Sequence, residues 1–426
     1  MTGLSARISA VLALEPAAHA IEFEHRWWTW GDLATIAAGA AASVPGPGAE
    51  VGVVLANRPD AVGQVLGVLQ AGGCVVANNP ARGEQPDGDG GIRPGVAVRM
   101  LTSGTTGPPR RVDLTYETFE RVLVGAKHYE SNKDAGPRLR SGVAVVNAPL
   151  AHVGGLFRVL QCVADGRSFC LLDRFTVDGW VDAVRRHRPA TASLVPTALR
   201  MVLEADVDPA DLASLRSVVS GTAPLDPDDA DAFTRRYGVP VLVSYGATEF
   251  GGGVAGWNLA DHREFWATKR GSVGRAHPGC ALRVVDGVLE VRSRQLGTDG
   301  WVRTTDLARI DADGFLWILG RADQAIIRGG FKVQPEDVRA ALERHPAVRG
   351  AAVVGREDRR RGAVPVAAVE LRAGAEPVGP GDLLAHAATT LARYELPAEI
   401  RVVDALPRTD SGKADLAAVR ALLAGA

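Results

Sequence analysis

From Glu50 onward, short runs of β-branched and aliphatic residues alternate with longer stretches whose apolar positions recur every three or four residues. The first pattern suits a strand buried on both faces and the second an amphipathic helix, so their alternation predicts parallel strands joined by crossover helices. Strands are expected at Val51–Leu55, Cys74–Ala77, Val96–Leu101, Val143–Ala148, Phe169–Leu172, Thr191–Val195, Ser217–Ser220 and Val239–Ser244, with a helix over Asp60–Gln70. Together they make a large α/β body. The stretch Arg82–Pro94 is polar, rich in Gly and Pro and without periodicity, and reads as a surface loop.

After Gly279 the texture changes. Leu282–Val285, Val288–Val291, Trp301–Thr304 and Phe315–Leu319 are short alternating segments, and Asp286-Gly287 and Asp313-Gly314 supply tight turns between them. They read as antiparallel β, a small barrel-like part of the large domain. The last hundred residues read as a separate α+β domain. A helix opens at Pro335 with Glu336 and Asp337 in its first turn, another runs over Asp382–Ala392, and strands fall at Ala351–Gly355, Val364–Leu371 and Ile400–Val403. The division expected is 1–320 for the large domain and 321–426 for the small one.

Composition narrows the function classes. At 426 residues the chain holds more than one folding unit, and 46% hydrophobic with 23% charged residues is globular rather than disordered or fibrous. Lys and Arg (48) nearly cancel Asp and Glu (49), leaving a net charge of −1 and no field to gather nucleic acid. Cys74, Cys162, Cys170 and Cys280 lie far apart with no C-x-x-C pair, which argues against a zinc site or a disulfide framework and for buried free thiols. No run reaches the ~18 apolar residues of a membrane span, and Met1–Leu14 lacks a basic segment followed by an apolar core, so a cytoplasmic protein is expected.

The first chemical signal follows a predicted strand. Thr102-Ser103-Gly104-Thr105-Thr106-Gly107-Pro108-Pro109-Arg110 packs four hydroxyls, two glycines and an arginine into one loop. Glycines let backbone approach an anion, N–H groups and hydroxyls donate to phosphate oxygens, and Arg110 adds a fixed positive charge. Further along come Ser220-Gly221-Thr222-Ala223-Pro224-Leu225, Ser244-Tyr245-Gly246-Ala247-Thr248-Glu249, Thr304-Thr305-Asp306-Leu307, Gly320-Arg321-Ala322-Asp323 and Pro407-Arg408-Thr409-Asp410-Ser411-Gly412-Lys413. This ordered set, covering nearly the whole chain, resembles the adenylate-forming superfamily of acyl-CoA synthetases, peptide-synthetase adenylation domains and luciferases, and most of all a compact acyl-CoA ligase.

The resemblance implies activation of a carboxylic acid with Mg-ATP as acyl-AMP, release of pyrophosphate, and transfer of the acyl group to CoA. Ser103 to Gly107 would hold the β- and γ-phosphates, with Thr102 and Arg110 also binding ATP, Thr248 the α-phosphate, and Glu249 the Mg²⁺ through a hard oxygen. Tyr245 and Gly246 would flank the adenine, with Gly221, Thr222 and Ala223 opposite. Asp306 would accept the ribose hydroxyls and Arg321 would reach ribose or phosphate. Lys413 would bridge the attacking carboxylate and the α-phosphate, and His152 would stand by the acyl carboxylate and the thiol path. Asp323 matches the family's hinge, about which the small, mobile domain would bring Gly329 and Gly330 to the thioester-forming step. The remaining histidines read as members of solvated faces.

Two departures from the family pattern stand out. Arg110 replaces the usual Lys, and the two are not interchangeable at a tight phosphate site. The stretch between Leu33 and Leu101 is also shorter than the family spends there, which leaves a surface open to self-association and a homodimer as an expectation. The acceptor alternative is a carrier-protein phosphopantetheine arm. A catalytically silent nucleotide- or acyl-binding protein is the alternative from another class, against which Glu249, Asp306 and Lys413 weigh together. The acid pocket is expected from His152–Phe157, Ser220–Ala223 and Gly246–Gly253, where the glycine run reads as room, suiting a ring-containing or medium-length acid.

Overall fold

The computed structural model describes residues 3–79, 90–101, 111–125, 136–247, 250, 252–293, 300–409 and 412–424. Contacts divide it into two compact units, one drawn from Met1–Thr102, Pro109–Ala281 and Arg292–Trp301, the other from Leu282–Val291 and Val302–Ala426.

The first unit distributes its strands over three sheets. In one, Glu50–Val54, Cys74–Asn78 and Val96–Leu101 run parallel and Arg111–Thr115 closes the edge antiparallel. The crossover helix Pro59–Gln70 starts with Pro at its first turn, where the missing N–H costs nothing. It packs closely on the helix Trp30–Ala42, because a Cβ on Gly67 would lie 2.1 Å from the Ala37 carbonyl oxygen. Thr29 caps that second helix: its hydroxyl accepts from the Asp32 N–H while Asp32 accepts from the Thr29 N–H, a reciprocal capping box.

A second sheet sets the hairpin Arg26–Thr29 and His19–Phe23 beside Arg167–Leu171 and Arg140–Val146. The hairpin turns through Glu24 and His25 at φ 49° and 63°, the left-handed pair of a type I′ turn, without the Gly or Asn that usually marks one. The third sheet pairs Thr191–Ser193, Ser217–Ser220 and Val241–Ala247 in parallel, then adds Gly252–Gly256 and Arg275–Ala276 antiparallel. Fully buried Phe119, Phe169 and Phe233 anchor the cores, each contributing on the order of 2–3 kcal/mol by apolar burial.

The second unit begins in an antiparallel meander, Cys280–Val285, Val288–Ser293, Val302–Ile310 and Leu316–Arg321. Its α+β part centres on the pair Val348–Asp358 and Gly362–Leu371, with Glu399–Val403 parallel to the latter. Strand alternation builds two cores: Ala351 and Val353 face Val338, Leu342 and Leu383, whereas Ala352 and Val354 face Val419 and Leu423. Among the described residues no helix is long and apolar enough to cross a membrane. All four cysteines are free, three of them buried.

Candidate active site

Ser217–Ser220 and Val241–Ala247 lie side by side in parallel, the first ending at Ser220 opposite Val243 and the second running on to Ala247. Carboxyl ends of parallel strands are where open α/β sheets hold ligands. A Cβ on Gly221 would sit 2.8 Å from the Ser244 carbonyl oxygen, so only glycine lets the two segments touch here. Thr222 follows at φ 71°, a left-handed conformation costly for a β-branched side chain. Gly221 is thereby held against Ser244. Tyr245 is half-buried, its ring tilted 6.5 Å from that of Phe250.

Gly252 and Gly253 belong to a strand paired with Tyr245–Ala247; a Cβ on Gly252 would meet nothing nearer than Val122 Cγ1 at 3.8 Å, whereas Gly253 permits a close approach. A Cβ on Gly246 would meet the Gly252 carbonyl oxygen at 2.3 Å, and one on Gly253 would stand 3.2 Å from Ser244 Oγ and 3.4 Å from His277 Nε2. His277 therefore lies over this strand, and burial pushes its imidazole below the usual value, favouring the neutral ring. Nothing in its sequence neighbourhood marks it. His262 is buried and His187 half-buried with its side chain 9% exposed, so neither belongs to a solvated face.

His152 occupies the N-cap of the helix Val153–Ala164 in extended backbone. Gly155 allows that helix to start tightly, since a Cβ there would lie 2.1 Å from the Pro149 carbonyl oxygen.

In the second unit Asp306 and Arg321 are cross-strand partners. The Arg321 guanidinium donates to both carboxylate oxygens of Asp323 at 2.9 and 2.8 Å, and its Nη1 lies 3.9 Å from Asp306 Oδ1. Those hydrogen bonds hold the Asp323 carboxyl below the usual carboxylate range. One arginine thus faces the expected ribose acceptor and the expected hinge. Gly329 and Gly330, at φ 58° and 87°, form the turn between Ile326–Arg328 and Phe331–Val333, a structural demand beside any role in thioester formation.

The lysine loop is closed by main-chain bonds. The Thr409 N–H donates to the Lys413 carbonyl at 2.7 Å and the Gly412 N–H to the Thr409 carbonyl at 2.8 Å, with Gly412 left-handed at φ 78°. Arg408 ties the loop to Glu370, a buried carboxylate that accepts from Arg408 at 3.2 Å, the Leu406 N–H at 2.9 Å and Arg349 at 2.8 Å. Burial raises the Glu370 pKa, but the Leu406 N–H and the two guanidiniums outweigh it and hold the carboxyl below the usual range.

Removing one member of such a buried set costs about 3 kcal/mol, so Glu370→Gln destabilises the second unit by that order at pH 7. Because the folded pKa is depressed, the stabilisation is complete above the ordinary glutamate value of about 4.3 and fades as pH falls through the folded value. Urea unfolding of wild type and variant at pH 7 and pH 3 checks this: the difference shrinks in acid.

Thr102, Ser103, Gly104, Thr105, Thr106, Gly107, Arg110, Thr248 and Glu249 lie outside the described residues.

The chain was compared with known proteins. The AMP-binding enzyme family profile matches residues 94–298, and the AMP-binding enzyme C-terminal domain matches 337–413. The indoleacetate–CoA ligase of Aromatoleum aromaticum is 33% identical over 76% of this chain and 66% of its own length. The 2-succinylbenzoate–CoA ligase of Bacillus subtilis is 31% identical over 74% of this chain and 67% of its own. The match thus spans about two-thirds of these relatives' lengths. Among solved structures, ATP-bound MatB from Rhodopseudomonas palustris superposes with a TM-score of 0.81 at 22% identity, over 100% of this chain and 99% of that one. With the ordered motifs, the strand-end contact at Gly221 and these likenesses in agreement, the chain belongs to the adenylate-forming superfamily of AMP-binding enzymes.

Proposed function

We propose that this protein is an ATP-dependent, AMP-forming carboxylate–CoA ligase. The observation that carries the reading is the close approach of Gly221 to Ser244, one residue before Tyr245: backbone and an aromatic side chain brought together, suited to a flat purine. In the first half-reaction a carboxylate oxygen attacks the α-phosphorus of ATP, and pyrophosphate leaves with the electron pair of the broken P–O bond. In the second, a thiol sulfur loses its proton and attacks the acyl carbon, and AMP leaves.

Positioning and charge stabilisation do most of this work. Asp306, an acceptor-only group, takes the ribose hydroxyls, and Arg321 adds positive charge beside them. Lys413 faces the oxygens that crowd together at the α-phosphorus. Mg²⁺ enters with ATP, and the Glu249 carboxylate is the kind of hard donor it prefers. His152 lies by the acyl group. The part from residue 321 onward moves between half-reactions about Asp323. The short stretch between Leu33 and Leu101 supports a homodimer, which sedimentation decides.

The test is an acid panel with ATP and hydroxylamine as acyl trap. AMP, pyrophosphate and a hydroxamate appear with the right acid; ADP and phosphate as the only products overturn the reading. Supplying free CoA or a holo carrier protein in place of hydroxylamine distinguishes the two acceptors, since both present the same thiol.

A further inference from the structure

Glu22, Cys170 and His187 come from three separate elements of the first unit and converge in its interior. Glu22, in the strand His19–Phe23, and Cys170, in Arg167–Leu171, are register partners of a parallel pair, so their side chains leave the same face of the sheet. His187 ends the helix Val177–His187, and its Nε2 lies 2.5 Å from Glu22 Oε2. Sγ, Nε2 and a carboxylate oxygen all fall within 4.8 Å of one another. Glu22 is 2% exposed, Cys170 3% and the His187 side chain 9%.

Packing alone is a poor reason for this set, because an ionised carboxylate in the interior is costly unless its charge is answered. Arg186 answers it only in part. It donates to Glu22, but it also donates to Asp182 at 2.8 Å and approaches the Cys170 thiol. Arg185 also faces Asp182, at 3.5 Å, and reaches Asp211 at 3.9 Å, so three carboxylates face two guanidiniums and, with thiol and imidazole neutral, the cluster keeps one negative charge. A divalent cation bound to a Cys170 thiolate brings the total to zero.

His25 stands outside this trio, at the solvent side. His25, held in the left-handed turn of the hairpin, is exposed, and its Nδ1 lies 4.0 Å from Glu22 Oε1. Trp27, from the same hairpin, meets the His187 ring edge-on at 5.9 Å and stacks on His19 at 4.5 Å. It supplies the apolar cover that confines a metal and limits solvent access.

We propose that Glu22, Cys170 and His187, completed by His25, form a structural Zn²⁺ site separate from the adenylation chemistry. One thiolate, imidazole nitrogens and one carboxylate are zinc donors, and four of them satisfy the tetrahedral preference. As the S–Zn bond forms, the thiol proton leaves to solvent. His187 binds through Nε2 in the tautomer with its proton on Nδ1, and Glu22 Oε2 exchanges the imidazole N–H for the metal. Burial pushes the Cys170 thiol up to about 11, so its proton departs with metal binding rather than before it. The ligands are too far apart in sequence for any C-x-x-C spacing to announce them.

The chelator-treated full chain is titrated with Co²⁺, a spectroscopic stand-in for Zn²⁺. One equivalent is expected to give a thiolate-to-cobalt charge-transfer band that Zn²⁺ displaces. Cys170→Ser abolishes the band, and His187→Gln weakens Zn²⁺ binding by at least about 10-fold, the scale on which even outer partners of a metal act. No band in the wild type, or a band that survives in Cys170→Ser, overturns the site. Should either variant not fold, the wild type still decides. Zinc-edge X-ray absorption is expected to show one sulfur among nitrogen and oxygen ligands, and Zn²⁺ to raise the thermal midpoint. A shell without sulfur overturns the proposal.

Discussion

Lys413→Ala is expected to cut acid-dependent adenylation by at least about 100-fold, the scale of one lost transition-state donor, while ATP affinity changes little. The division follows from where each contact falls. Purine and ribose are served in this reading by Tyr245, Gly221–Ala223, Asp306 and Arg321, which the substitution leaves intact. The ammonium acts where the carboxylate and α-phosphate oxygens meet, so its absence is felt at the transition state more than in the ground state. Collapse of the loop is not a competing explanation. The bonds that close it use the Thr409 N–H and the Lys413 carbonyl, main-chain groups that alanine retains. Pyrophosphate release measured beside nucleotide titration checks the prediction, and an equal loss of ATP affinity would refute it.

Asp323→Pro is expected to separate the half-reactions: pyrophosphate release persists, whereas thioester yield from pre-formed acyl-AMP falls by about 100-fold, as when a single required geometry is lost. Asp323 sits in the one-turn 3₁₀ segment Ala322–Gln324. Proline's φ near −65° agrees with such a turn, so the variant keeps the conformation described here and resists leaving it. The substitution also removes the carboxylate that engages Arg321 at two points. Asp323→Ala, which releases Arg321 without stiffening the backbone, separates the two effects. Proportional loss of both half-reactions in the proline variant, or loss of neither, would show that the pivot lies elsewhere.

Much of the architecture was legible because strand and helix leave different periods in the apolar pattern. Val96–Leu101 and Ser217–Ser220 fall where β-branched runs place them, and the helix Pro335–Glu343 begins at its proline. Pairing was not legible. The parallel strands are divided among three sheets and flanked by antiparallel members, a matter of contacts between distant segments that no local period encodes. The hairpin at Glu24 and His25 lacked turn residues, so its signal was silent. The strand Gly252–Gly256 was hidden differently: Gly253, read as space, lets Ser244 and His277 come close. Of the proposed site, Gly221, Tyr245, Asp306, Arg321 and Lys413 were marked by motif, and His277 was invisible because only the folded chain brings it to the glycine strand.

The left-handed threonine at position 222 has a bearing on engineering. Glycine adopts that conformation without strain, so Thr222→Gly relieves a local cost on the order of 1–2 kcal/mol, and any selection for heat resistance alone will be drawn to it. The same exchange frees the backbone next to Gly221, which the proposed nucleotide site needs held against Ser244. Robustness and pre-organisation therefore compete at a single residue, and a stabilised descendant of this enzyme is best sought by fixing position 222 and improving the cores beneath it.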